Sequence, residues 1–360
     1  MIIKDIEFKK IKVELKKPIK LSYGAIYELE PVIVKIITDI GLVGYGEASS
    51  IPFVTGEVPD GILAVLTMFK NILIGLNPLE IEKINDKMDE LIVHNSAAKA
   101  SIDIALHDLL GKFLNEPLYK VLGGFSDSYM TDVMISIDSP ERMAKEAIEF
   151  VQLGIKMLKI KGGLNINDDI NAVASIREVV GKDVILRFDA NQGYSISDTL
   201  KFAESVKEYS LEAIEQPLLS WDIEGHKYLK RKLNGLTLIL DESIHSPRDA
   251  SYAIDQNAAD MFSIKLQKAG GISRALEINS IAEKNGIPCM VGCMPVTSIG
   301  LSAAAHLVAS QKNITVGDTD SFLLIHERDI IPGFTFKKGV IQLSNQPGLG
   351  VTVSNNFYKD

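Results

Sequence analysis

Between residues 130 and 320 the chain returns to a short apolar run every 22 to 30 residues. The runs are "DVMISI" (132–137), "KMLKIK" (156–161), "VILRFD" (184–189), "LEAIEQ" (211–216), "LTLILDE" (236–242), "MFSIKL" (261–266), "IPCMVG" (287–292) and "ITVGDTD" (314–320). Amphipathic stretches of helical period separate them, and several open on a capping pair such as Ser139-Pro140 or Ser246-Pro247. Parallel strands need a crossover, which is usually a helix. Eight strands with seven helices between them, in about 190 residues, predict a closed parallel barrel.

The flanks read differently. Residues 1–125 predict an α+β capping domain. "IEFKKIKVEL" alternates as a strand, and "PVIVKIITDIGLVGYGEAS" holds two strand runs joined at Asp39-Ile40-Gly41. Gly41, Gly44 and Gly46 lie within that hairpin, not between a strand and a helix, which argues against a phosphate loop. Helices are expected at about 59–74, 80–92 and 96–114. The barrel is expected over 126–329. The tail, 330–360, returns to strand and turn signals and is expected to pack back onto the first domain.

In a barrel, chemistry sits where the strands end. Here the strand bodies are apolar and the tips carry charge: Lys161 on the second strand, Asp189 then Asn191 on the third, Glu215 on the fourth, Asp241 and Glu242 on the fifth, Lys265 on the sixth, Asp318 and Asp320 on the eighth. Three acids on successive strands form a hard oxygen site that suits Mg²⁺ and not zinc. The six histidines show no ligand spacing, and His245 reads as a loop residue. Lysines on strands two and six stand nearly opposite around an eight-stranded ring, one on each face of whatever lies at its centre.

Lys159 and Lys161 share one strand face, since residues two apart point the same way. At about 6.6 Å and an effective dielectric of about 20, their repulsion is roughly 2.5 kcal/mol. The expectation is that this repulsion makes Lys161 a usable general base, while Lys159 stays charged for a substrate anion.

With 46% hydrophobic and 24% charged residues, the chain has ample core and no disorder signature. Its net charge of −9 argues against nucleic acid or an anionic membrane as a partner. Cys289 and Cys293, on one expected strand, would lie about 13 Å apart, too far for a disulfide. They read as reduced thiols. No signal-peptide core or membrane-length apolar run is present, and a soluble, cytoplasmic protein is expected.

With "KIK" (159–161), "DANQG" (189–193), "EQP" (215–217), "DES" (241–243) and "KLQKAGG" (265–271) in place, the chain resembles the enolase superfamily in its muconate-lactonizing-enzyme subgroup, over essentially its whole length. The resemblance implies a (β/α)7β barrel, a modified TIM barrel, with an N-terminal α+β capping domain. It implies Mg²⁺, one per subunit, on Asp189, Glu215 and Asp241. It implies Lys161 and Lys265 as the acid/base pair, Lys159, Met134 and Met294 as substrate contacts, and an enediolate held by the metal. A homo-oligomer is also in keeping with it.

"GDTDS" resembles dipeptide epimerases, in which the paired aspartates, here Asp318 and Asp320, bind the ammonium of an N-terminal residue. The implied reaction is epimerization at the second residue of an L-Ala-L-Xaa dipeptide. Members selective for Ala-Glu carry an arginine where this chain has Gly24. Lys20 and Tyr23 are nearby, and Val296 and Ser298 near the seventh strand tip add no charge, so an uncharged or broad second residue is expected. Loops at about 16–28 and 51–59 are expected to cover the site. Among rivals, o-succinylbenzoate synthase and muconate cycloisomerase leave the Asp318 and Asp320 pair without an ammonium to bind. A Schiff-base aldolase with Lys161 as nucleophile leaves the three acids without a role, as does a catalytically silent barrel.

Overall fold

In the computed structural model, which describes residues 1–354 and 357, alternation of apolar and polar residues draws the N-terminal segment into strands. These are β1 (Ile3–Lys10), β2 (Val13–Leu21), β3 (Gly24–Leu29), β4 (Val32–Thr38) and β5 (Val43–Ala48). β1, β4 and β5 form one antiparallel sheet, and β2 and β3 form a separate hairpin. Next come α1 (Pro52–Thr55), α2 (Pro59–Leu73), α3 (Ile81–Leu91) and α4 (Ser96–Leu114). The glycines of the hairpin have a packing role. A Cβ at Gly46 would stand 1.8 Å from the Ser101 carbonyl, and one at Gly44 2.2 Å from that of Ala105. Both therefore let β5 lie directly on the backbone of α4.

α5 (Leu118–Val121) and β6 (Ser128–Met130) lead to the barrel. All eight predicted runs are strands, trimmed at their ends: β7 (Val133–Ile135), β8 (Met157–Lys161), β9 (Ile185–Asp189), β10 (Leu211–Glu215), β11 (Thr237–Leu240), β12 (Met261–Ile264), β13 (Cys289–Gly292) and β14 (Ile314–Asp318). They form one parallel sheet in sequential order. A Thr131–Gly317 bridge joins its two edges. Between the strands run α6 (Pro140–Gln152), α7 (Ile166–Val180), α8 (Ile196–Ser205), α9 (Ile223–Lys230), α10 (Pro247–Asp255), the short α11 (Leu266–Ala269), α12 (Ile272–Lys284) and α13 (Ser298–Ser310). The outer helices bury apolar faces on the strands. Phe202 of α8, for example, packs against Phe188 of β9 at 4.2 Å between ring centroids. Each such side chain contributes about 1.5–3 kcal/mol.

After β14, α14 (Ser321–Leu324) leads to β15 (Ile325–His326), which pairs with β2. The tail holds β16 (Ile330–Ile331), β17 (Phe334–Lys337), β18 (Val340–Leu343) and β19 (Thr352–Val353). It packs on both parts of the chain, not on the first alone: Leu349 N donates to Asp108 Oδ1 of α4 at 2.8 Å, and Gly333 N to Ser302 Oγ of α13 at 3.0 Å. Residues 355, 356 and 358–360 of the expected tail lie outside the described residues. Among the described residues no helix is long and apolar enough to cross a membrane.

Candidate active site

The strand period of two builds the site in a layer. Ala213, Ile239, Met290 and Val316 form an apolar plug inside the barrel. Two residues further along the same strands lie Glu215, Asp241, Gly292 and Asp318. The same step leads from Lys159 to Lys161, from Arg187 to Asp189 and from Ser263 to Lys265. Gly292, with no side chain, leaves room for the Lys265 stem, because a Cβ there would meet Lys265 Cε at 3.0 Å.

Asp189, Glu215 and Asp241 are buried, and each offers an oxygen within 4.8 Å of the others. Six buried acids (Asp189, Glu215, Asp241, Glu242, Asp318 and Asp320) face four buried lysines (Lys159, Lys161, Lys265 and Lys268). Fully ionised, the cluster has an excess of two negative charges, which is the charge a divalent cation would balance. The triad also repels itself. Burial, then Asp189 and Asp241 against the counter-pull of Lys159, push the Glu215 carboxyl up to about 8. Glu215 Oε2 lies 2.8 Å from Lys159 Nζ yet makes no well-directed hydrogen bond. An all-oxygen donor set with an unsatisfied buried oxygen fits Mg²⁺.

Each lysine is held by acids. Lys161 Nζ donates to Asp189 Oδ2 at 2.6 Å and to Asn191 Oδ1 at 3.1 Å. Lys159 Nζ donates to Glu215 Oε1 at 2.9 Å and Asp318 Oδ2 at 3.0 Å, and lies 3.3 Å from Asp189 Oδ2. Burial opposes its charge, but Asp318, Glu215 and Asp189 outweigh this and hold its pKa well above the ordinary lysine value. The expectation that Lys159 acts on Lys161 chiefly by repulsion is therefore corrected, because Asp189 stands between them. Lys265 Nζ donates to Asp241 Oδ2 at 2.6 Å. Burial again opposes the charge, and Asp241 more than offsets it.

A narrow cleft opens on this layer. Lys161, Lys265, Asp318 and Asp320 line its polar side, with Met134 and Met294 beside them. Asp320 Oδ2 accepts from Met134 N at 2.8 Å, and burial, then neighbouring Asp318, push its carboxyl up to about 7. Both expected segments reach the cleft, through Ile19, Leu21, Tyr23 and Ile26 from the β2–β3 hairpin and through Ile51 and Val54 at α1. The Tyr23 ring packs at a tilt against Phe53, 4.9 Å between ring centroids, which joins the two segments.

Four residues considered for selectivity lie outside the cleft lining. Gly24 does not line the cleft; its missing side chain would point at the Phe53 ring, 3.5 Å away, and Tyr23 takes the wall position. Val296 is buried in a separate apolar cluster, and Ser298 is bonded to Glu327 at the start of α13. Lys20 is exposed and outside the lining.

The sequence reading gave no role to Asn191, Glu242 or Lys268, which the structure places beside the site. Asn191 Nδ2 donates to Glu242 Oε1 at 3.0 Å, and the Tyr23 hydroxyl faces the same carboxylate. Burial, then Asp241 and Asp189, push Glu242 up to about 7. Lys268 donates to Asp241 Oδ1 at 2.6 Å. The signals were present as the second acid of "DES" and the second lysine of "KLQK". Neither shows its direction, because the strand period ends where these residues begin.

Residues 5–123 match the mandelate racemase / muconate lactonizing enzyme N-terminal domain, and residues 142–357 match the enolase C-terminal domain-like family. The chain is 42% identical to a hydrophobic dipeptide epimerase of Enterococcus faecalis, covering 98% of this chain and 100% of that one. It is 40% identical to an L-Ala-D/L-Glu epimerase of Clostridium acetobutylicum, covering 99% and 100%. A crystal structure of the Enterococcus faecalis V583 dipeptide epimerase complexed with Mg and L-Leu-L-Tyr superposes with a TM-score of 0.96 at 42% identity, again over 98% and 100%.

Proposed function

The chain belongs to the mandelate racemase / muconate lactonizing enzyme family of the enolase superfamily, and from that premise we propose that it is an isomerase that epimerizes the second residue of dipeptides. L-Ala-L-Xaa dipeptides with an uncharged second side chain are among its substrates. One observation carries this reading: Asp318 and Asp320 share a cleft with Lys161 and Lys265, next to the carboxylate triad. A dipeptide has an ammonium for the two aspartates and a carboxylate for Lys159 and for the cation that the triad would hold. Its second α-carbon then falls between the two lysines.

Asp318 and Asp320 hold the ammonium and set the register of the peptide. Lys159 meets the substrate carboxylate. Lys161 and Lys265 approach the α-carbon from opposite faces; one, as the neutral amine, takes the α-proton, and the other returns a proton from the far side. Asp189, Glu215 and Asp241 would hold Mg²⁺, whose positive charge would offset the negative charge developing on the substrate carboxylate. The loops carrying Tyr23 and Phe53 exclude water. The apolar lining of Ile19, Ile26, Ile51 and Val54 supports the uncharged preference, since a charged side chain there would be left without a partner. The two unpaired cysteines support a cytoplasmic setting.

The Asp318 and Asp320 pair also disfavours o-succinylbenzoate synthase and muconate cycloisomerase chemistry. The test compares a free dipeptide with its N-acetyl derivative. Loss of the ammonium should lower kcat/KM by at least about 10²-fold. Equal turnover of the two would remove the role given to the aspartates.

A further inference from the structure

One buried lysine has no part in that chemistry. Lys268, in α11, is only 1% exposed. A buried ammonium is costly unless anions and carbonyls surround it. Lys268 Nζ donates to Asp241 Oδ1 at 2.6 Å, to the Asp241 carbonyl oxygen, and to the Ser263 carbonyl at 3.3 Å. It does not line the substrate cleft; it borders a second cleft between α3, α10 and α12. Lys265 does line the substrate cleft, and it holds the other oxygen, Asp241 Oδ2. The two oxygens of one carboxylate are thus assigned to opposite sides.

We propose that Lys268 is a positioning residue for the metal centre. It occupies Asp241 Oδ1 from behind and leaves Oδ2 as the one oxygen that Asp241 can offer to a cation in the cleft. Its bond to the Ser263 carbonyl ties the ends of β11 and β12 together, so the carboxylate cannot swing to bind through both oxygens. The Gln216 side chain, which accepts from Asp241 N at 2.8 Å, fixes the same residue from the β10 side. Without Lys268, Oδ1 would be buried and unpaired, and Lys265 could claim both oxygens. Mg²⁺ would then have to displace a stronger ion pair. The inference rests on the proposed metal-dependent reaction, but its test does not need the substrate.

The experiment is calorimetric titration of Mg²⁺ into the wild-type chain, Lys268→Met and Lys268→Arg, with folding checked by circular dichroism. Partners that orient ligands typically affect metal affinity 10–100-fold, so Lys268→Met should bind Mg²⁺ at least about tenfold more weakly and Lys268→Arg within about threefold of wild type. Lys268 also adds positive charge near the cation. Unchanged or tighter binding by folded Lys268→Met would mean that repulsion outweighs positioning, and would overturn the proposal. A crystal structure of the wild-type chain with Mg²⁺ decides the point if Lys268→Met does not fold. Coordination through Oδ2 with Lys268 still on Oδ1 supports the proposal, and a bidentate Asp241 overturns it. A wild-type chain that binds Mg²⁺ but leaves dipeptides unchanged would refute the proposed function and leave this comparison intact.

Discussion

At the scale of single residues, Lys159 and Lys161 remain buried together because anions lie between and around them. Each contact with Asp189 Oδ2, at 2.6 and 3.3 Å, is a Coulomb attraction of about 5 kcal/mol or more at an effective dielectric of 20, against roughly 3 kcal/mol of mutual repulsion. Replacing Lys161 or Lys265 by alanine should lower epimerization by on the order of 10³-fold, the usual size of a lost acid/base group, while Mg²⁺ still binds. Near-normal turnover by either variant would contradict the roles given to them. Asp320 gives a pH dependence. Its carboxyl is pushed up to about 7, so its protonated fraction grows as the pH falls through that value. The anion that meets the substrate ammonium is then lost, and KM should rise below about pH 7. In Asp320→Asn, KM should be high throughout and flat across the same range. The charged tips were legible in the sequence because a period of two fixes which side chains share a face. The pairing among them was not, because a lysine stem reaches neighbours on several strands. Lys159 shows this: it starts one layer below Lys161 and still reaches Glu215 and Asp318.

At the scale of elements, the capping sheet lies on α4 through short backbone contacts and meets α13 of the barrel through a buried acid. Glu47, at the end of β5, accepts from Thr297 N at 2.9 Å, Gly300 N at 2.8 Å and Thr297 Oγ1 at 2.6 Å, and so caps α13 from another part of the chain. Glu47→Ala would leave those donors buried and unpaired, at a cost of about 2–3 kcal/mol in urea unfolding. Gly46→Ala should cost at least as much, about 3 kcal/mol, since its methyl would overlap the Ser101 carbonyl and force β5 off α4. A loss under about 0.5 kcal/mol, the size of an ordinary surface substitution, would contradict either account. Element positions were legible: the three capping helices and eight strands fall within a few residues of their expected bounds. The strands are shorter than the apolar runs, β8, β9 and β13 at their starts and β10, β12 and β14 at their tips. α11 was not legible as a helix, since one turn after β12 has too few residues to show a period.

At the scale of the whole molecule, the cleft belongs to neither part alone. The barrel supplies its charged floor, and the β2–β3 hairpin with the following loop supplies its apolar wall. The carboxylate triad, the lysines and the aspartate pair were legible because each sits at a strand end, a position the barrel topology fixes. The wall was harder to read, because loop residues have no period. Gly24 was singled out there, while its neighbour Tyr23 faces the site. The central claim is a proton transfer at the second α-carbon of a dipeptide, and exchange in D₂O tests it most directly. The chain is incubated with Mg²⁺ and a panel of L-Ala-L-Xaa dipeptides and followed by NMR and mass spectrometry. The predicted result is loss of the second residue's α-proton signal, a mass gain of one deuteron, appearance of the L,D diastereomer for uncharged Xaa, and no exchange once a chelator removes the metal. Folded, Mg²⁺-loaded protein that exchanges no α-proton across the whole panel would contradict it.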